Sequence, residues 1–506
     1  MSTIGRVVKA KLWVKWTGSG SYSDESAYLM SFSGQVRLAP PLQTIMATRS
    51  IVDQVSITLH NTAQRYSSLQ TGVNTLTYLH EGGAYHSPMY LEVSINNGST
   101  YTRIFTGVVK YINETAVTGK EAGTVVLDCR SREEEILNTK ISSTQTEFAA
   151  IYDGAENESQ ILARWLGDAG LSSGDYSLDD GLYTIPFAWL NDESPVEQGW
   201  DLAAACGGRF YMRHLDGKFV YENSTHNLSA SSYATLTRAD YGGLAIKYPD
   251  TDLQKVIVVN VTDYELQPLA DAIFTLDKPI TVAAGATLVH EAAMDKPAYS
   301  AGVVTFTATT SGGTNISADV SIVLTQYSQK LHFSIANANT TYAAVIRKLT
   351  VTGQAVASAG SATGATGAKR AYTATSSDSF WSGVAERKRE IDNKYVQSYG
   401  QAGGLANAVL AANGTPLQFC AVDNVLGDPA IVLGTKLTIN DAVVMNGSKT
   451  YFVTSISFRF GVTGFFQSLE CVEAGQLLPH DTQYFILGAG GNVLGSSTGS
   501  IAKLFF

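Results

Sequence analysis

Apolar residues alternate strictly with polar ones in several separate runs of this chain. A period of two over so many residues admits little but half-buried β-strands. In VSITLHN (55–61), Val55, Ile57 and Leu59 share one face; in MYLEVSI (89–95), Met89, Leu91, Val93 and Ile95 do. RIFTGVVKYI (103–112) and TVVLDCRS (124–131) follow, so residues 1–140 read as an antiparallel barrel or sandwich. Towards the other end AIVLGTKLTI, KTYFVTSISFRF and FFQSLECVEA resume the pattern, with Thr454, Ile456, Phe458 and Phe460 on one face.

Between these β blocks the period changes to that of helices. ESQILARWLGDAGL sets Ile161, Leu162, Trp165, Leu166 and Ala169 at helical spacing. SPVEQGWDLAAACGGRFYMRHLDGKFVYEN (194–223) reads as a capped helix and a hairpin. Ser194 is the expected N-cap, Pro195 the first helical residue and Glu197 the partner that closes a capping box. Gly207 and Gly208 stop the helix, and Asp216-Gly217 makes the tight turn between strands carrying Phe210, Met212, Phe219 and Tyr221.

LQKVIVVNVTDYEL (253–266) leads into a different texture. From Pro297 to Gln329 the only charged residue is Asp319, and VSIVLTQYSQKLHFSIA resembles two strands of a sandwich. The Ala/Ser/Gly run at 355–368 reads as a flexible linker that closes this insertion. A further helix from Gly400 to Ala412 carries Ala402, Leu405, Ala406, Val409 and Leu410, with Asn413-Gly414 and Pro416 ending it.

At about 100–200 residues per domain, 506 residues predict several domains. A net charge of −10 gives no basic face for nucleic acid. Charged residues make up 16% against the usual quarter or so, which points weakly to surface covered by partners. Cys129, Cys206, Cys420 and Cys471 are far apart in sequence and read as small buried hydrophobes. MSTIGRVVKAKLWVKW has no apolar core of a signal peptide, and no run is long enough for a membrane span, so cytoplasmic assembly is expected.

No constellation of catalytic residues emerges. His80-Glu81 with His86 lacks the helical spacing of a zinc site and sits among glycines. Gly495 to Gly499 matches GxSxG, but no His follows it. Gly360 to Arg370 lacks the Lys-Ser/Thr of a phosphate loop and reads as linker. Glu133, Glu134 and Glu135 beside Arg130 and Arg132 read as a solvated charged face on a short helix. Trp13, Trp16, Tyr101 and Tyr111 read as core or interface packing rather than sugar-stacking aromatics. Hence no catalytic residue, metal ligand or cofactor site is expected.

Four stretches, in this order, resemble the tail hub (baseplate hub) proteins of tailed bacteriophages. They are VSITLHNTAQRYSSL (55–69); RIFTGVVKYI with TVVLDCRSREEEIL; PVEQGWDLAAACGGRFYMRHLDGKFVYEN; and REIDNKYVQSYGQAGGLANAVL followed by LGDPAIVLGTKLTI and YFVTSISFRF. The resemblance implies a mainly β chain with α+β parts. Its units would be a first hub β-barrel at 1–140, a small α/β domain at 141–243, and a second barrel at 244–262 and 375–475. An inserted β-sandwich would occupy 263–374 and a docking extension 476–506.

The same resemblance implies a non-enzymatic homotrimer at the tail tip of a virion, two similar barrels per chain giving a pseudo-sixfold ring. That ring would join the tail tube or distal tail protein to a threefold central spike or fibre protein. The tape-measure protein and DNA would pass through it, DNA only as cargo. Exposed aromatics near a chain end need something to bury them. Tyr484, Phe485, Ile486, Leu487, Ile501, Leu504, Phe505 and Phe506 are therefore the expected partner-docking residues. A carbohydrate-binding or adhesive role for the sandwich is the alternative.

Overall fold

The alternating runs of the first block become β1 (Lys9–Val14), β2 (Ser23–Asp24), β3 (Leu29–Arg37), β4 (Gln54–Asn61), β5 (Ser87–Ser94), β6 (Thr102–Thr115) and β7 (Gly123–Arg130). The structure is a computed structural model. It describes residues 6–16, 20–38, 52–62, 65–66, 87–115, 123–142, 156–226, 231–248, 253–268, 271–327, 330–358, 370–414, 418–445 and 447–474. Leu12, Val14, Val55, Ile57, Leu59, Met89, Leu91, Val93, Val125 and Leu127 point inward and are buried. Each such side chain contributes about 1.5–3 kcal/mol, which is why the register cannot slip by one residue.

The change of period yields α1 (Glu133–Leu137), β8 (Ile141–Ser142), α2 (Glu158–Asp168), β9 (Tyr176–Leu178), β10 (Asn191–Glu193), α3 (Pro195–Ala205), β11 (Arg209–Arg213) and β12 (Lys218–Glu222). The buried stripe of α2 is Ile161, Leu162, Trp165 and Leu166, and a capping box of Asn157 with Gln160 starts it. Pro195 opens α3 as expected, but the expected box of Ser194 with Glu197 does not form. Ser194 makes no cap bond and is turned inward, whereas Glu197 is exposed, so the two side chains lie on opposite sides of the first turn. Gly207, at φ 69°, ends the helix; Gly208 N donates to Ala203 O and Gly207 N to Ala204 O, the left-handed cap that favours glycine.

The remaining chain forms β13 (Ala234–Thr237), β14 (Gly243–Lys247), β15 (Val256–Asn260), β16 (Tyr264–Leu266), β17 (Asp271–Thr275), β18 (Ile280–Val282), β19 (Thr287–Ala293), β20 (Ala298–Thr309), β21 (Val320–Gln326), β22 (Lys330–Asn337), β23 (Ala344–Ser358), β24 (Ala371–Thr375) and β25 (Lys388–Ile391). Then come α4 (Tyr399–Asn413), β26 (Phe419–Leu426), β27 (Lys436–Asp441), β28 (Gly447–Gly461) and β29 (Gly464–Glu473). The insertion is a two-sheet sandwich. In one sheet β16, β17, β18 and β20 all pair with β23; the other runs β19-β22-β21. Ile273, Phe274, Phe333, Ile335, Ile346, Leu349 and Val351 fill the space between. The run read as linker from 355 is strand to Ser358, because Ala355 and Val356 bury their small apolar side chains; residues 359–369 are outside the description. The helix read into the second β block, α4, packs instead on β15 and β24 and shares a core with α2 and α3.

The two β blocks join into one 13-stranded sheet, and within it the chain repeats itself. Taken in chain order, β1, β3, β4, β5, β6 and β7 lie side by side as β3-β4-β7-β6-β5-β1; β13, β14, β26, β27, β28 and β29 lie as β14-β26-β29-β28-β27-β13. Rank for rank the two orders are identical. The register agrees as well. Cys129 on β7 stands between Val55 and Val109, and a bulge follows before Tyr111. Cys471 on β29 stands between Cys420 and Val453, and a bulge follows before Ser455. The match has departures: β1 is antiparallel to β5 but β13 is parallel to β27, and the bulges in the β3–β4, β5–β6 and β26–β29 pairs have no counterpart in the other copy.

Candidate assembly interface

The seam between the two copies is β3 against the far half of β28. Ser455 to Phe460 pair with Arg37 to Phe32 in reverse order. Gly34 lies between Phe458 and Val55, and a Cβ there would come within 2.7 Å of both side chains, so glycine lets β3 close on β28 and on β4. Phe32 stacks on Phe460 at 5.2 Å and meets Phe458 edge-on at 6.0 Å. Leu38 N donates to Thr454 O at the bulge, and the Arg6 guanidinium donates to Gly427 O beyond it.

Each copy has the strand that this seam uses, so two of the four corresponding flanks are left over. The counterpart of β3 is β14, which pairs with β26 on one side; the counterpart of the far half of β28 is Tyr111–Thr115 of β6, which pairs with β7 on one side. Among the described residues no strand pairs with their other sides. Exposure follows occupancy. At the filled seam Val36 and Ser455, the counterparts of Tyr248 and Tyr111, are 0% and 2% exposed. At the unfilled flanks Tyr248, which continues β14, is 62% exposed and Tyr111 is 55% exposed.

Buried polar groups hold each β block together. Glu25 is fully buried and accepts from Trp16 Nε1 at 2.9 Å, Tyr66 OH at 2.6 Å and a two-pronged Arg65 guanidinium at 3.0 Å. Burial alone would raise its pKa; the hydrogen bonds from Arg65, Tyr66 and Trp16 outweigh that and hold it below the ordinary value. In the second copy Asp441 accepts from Tyr241 OH at 2.7 Å, the amides of Val443 and Val444, and Arg238 Nε at 3.1 Å. The Tyr241 hydroxyl and the Val444 amide, more than Arg238, bring it down to about 2. Glu133, expected on a solvated face, is buried at the start of α1. There the burial of Asp53 and then the charge of Glu133 push the Asp53 pKa well up.

The cavity nearest to a reaction site has a volume of about 340 Å³, between the β11–β12 hairpin and the loop before β27. His226, Ser231, Tyr233, Glu222 and His214 line it. His226 places Nδ1 2.7 Å from Asp179 and Nε2 3.5 Å from Glu222, so carboxylates bracket the imidazole. Burial lowers the His214 pKa to about 4, and its Nδ1 has no hydrogen-bond partner among the described residues.

Among the described residues no group of three His, Cys, Asp or Glu could hold a metal, and no helix is long and apolar enough to cross a membrane. Trp16 is core and Trp13 stacks on Tyr90 at 5.9 Å, whereas Tyr111 stands on the open flank of β6. His80, Glu81, His86 and Gly495 to Gly499 lie outside the described residues. So do the expected docking residues Tyr484, Phe485, Ile486, Leu487, Ile501, Leu504, Phe505 and Phe506. Sequence reading missed both open flanks, because a strand's exposed edge carries no periodic signal of its own.

No family model and no curated protein matches the chain. Two solved structures share its fold over nearly the whole length. The 43 kDa tail protein of prophage MuSo2 from Shewanella oneidensis has a TM-score of 0.51 at 10% identity, covering 93% of this chain and 99% of that one. The tail protein from Neisseria meningitidis MC58 has a TM-score of 0.50 at 9% identity, covering 93% and 98%. The chain has the fold of phage-type tail proteins, in agreement with the resemblance carried by its four segments.

Proposed function

We propose that this chain is a non-enzymatic structural hub of a virion's tail tip. Three copies assemble into a ring that joins a sixfold tail tube or distal tail protein to a threefold spike or fibre protein. The tape-measure protein and DNA pass through the central opening. The observation that carries this reading is the repeat. A chain that presents the same six-strand unit twice, when threefold, offers six near-equivalent units to a sixfold neighbour, and closure leaves no growing end. The fold shared with two tail proteins supports it. The test is the mass of the purified chain by light scattering: a threefold multiple of 54.1 kDa is expected, and a monomer at every soluble concentration overturns the reading.

A further inference from the structure

We infer that β14 of one chain adds to the open flank of β6 in the next chain, repeating between chains the β3–β28 seam found within one. The inference rests on the ring reading above for the number of chains, and on the repeat alone for the contact. Aligning the copies on Cys129 and Cys471 equates Val109 with Val453, hence Ile112 with Ile456 and Asn113 with Ser457. Aligning β4 with β26 on Val55 and Cys420 equates Phe32 with Leu244 and Gln35 with Lys247, hence Val36 with Tyr248.

Transferring the internal register then sets Ile112 opposite Tyr248, Asn113 opposite Lys247, Glu114 opposite Ile246 and Thr115 opposite Ala245, the strands antiparallel. Ile112 against Tyr248 is an apolar pair that would cover the large exposed ring. Asn113 against Lys247 is polar on the other face. Glu114 keeps the hydrogen bond it accepts from Asn61 at 2.9 Å. An open, unpaired strand edge is a template for another strand, and here each chain has one edge of each kind. The contact is head-to-tail; in the three-chain ring proposed above it gives six seams of one register, three internal and three between chains.

Cysteine capture tests it on the full chain. Residues directly opposite in an antiparallel pair have Cα atoms about 4.5–5.5 Å apart, within disulfide reach. Mild oxidation of Ile112→Cys with Tyr248→Cys should convert most of the chain to covalent dimer and trimer on a non-reducing gel; neither single variant should. The four native cysteines are buried and free, so they add no background. Asn113→Cys with Lys247→Cys tests the same register on the opposite face and covers a failure of the first variant to fold. Capture by either pair supports the contact. A trimer by light scattering that neither pair captures overturns the contact and leaves the hub reading intact. A chain monomeric by mass and uncaptured overturns both.

Discussion

Glu25 shows how one buried charge ties a β block together. Its four hydrogen bonds reach β1's continuation at Trp16 and the Arg65-Tyr66 turn after β4. Removing one partner of a buried ionic network costs about 3 kcal/mol, so Glu25→Gln should lower the unfolding free energy by that amount in urea titrations. The glutamate's depressed pKa means its contribution is present above the ordinary value and fades as pH falls through the folded one. Asp441 behaves likewise: thermal scans of Asp441→Asn against the native chain should differ at neutral pH and converge as pH falls from 3.8 towards about 2. Asp53 has the opposite sign, because its folded pKa is raised. Its stabilising state is the protonated one, lost as pH rises, so Asp53→Asn should raise the melting temperature relative to the native chain at pH 7, and the difference should vanish in acid. Arg65 and Tyr66 stood in a stretch whose resemblance was legible, but their partner Glu25 was not, since it lies 40 residues away and nothing local marks it.

Strands and helices with a clean period were readable; their neighbours were not. Val55, Ile57 and Leu59 announced β4, and Ile161, Leu162, Trp165 and Leu166 announced α2, because burying one face sets the spacing. The sandwich was legible from VSIVLTQYSQKLHFSIA for the same reason. Two local readings failed where tertiary packing won: Ser194 was drawn inward instead of capping α3, and Ala355–Ser358 became strand instead of linker. The partition around α4 was illegible too, since its apolar stripe states that it is covered but not by which block. The seam strand β3 shows what pattern cannot supply. Gly34 takes its meaning from tertiary neighbours, Val55 and Gln54 on β4 and Phe458 some 420 residues on. Gly34→Val should drive its side chain into Phe458 across the seam and into Val55 and Gln54 of β4, destabilising the chain by about 1–3 kcal/mol in denaturant titrations, more than the same change at Gly400, where nothing lies within 4 Å of an added Cβ.

At the scale of the whole molecule, the repeat explains why one chain needs two β blocks and why they are not separate bodies. In the proposed ring the internal seam is already made within each chain, so only alternate junctions would form by association. The segment bearing Tyr484, Phe485, Leu504, Phe505 and Phe506 is proposed to dock a neighbouring chain or tip protein. Removing 484–506 should leave the melting temperature of the β blocks unchanged and abolish pull-down of the next tip component; retained pull-down would remove that role. In the proposed assembly three chains form a ring of six alike units around an opening. Averaged electron-microscope images of the purified, light-scattering-matched assembly test it most directly. End views should show six similar lobes about a hole. Single compact particles, or threefold particles without an opening, would contradict it.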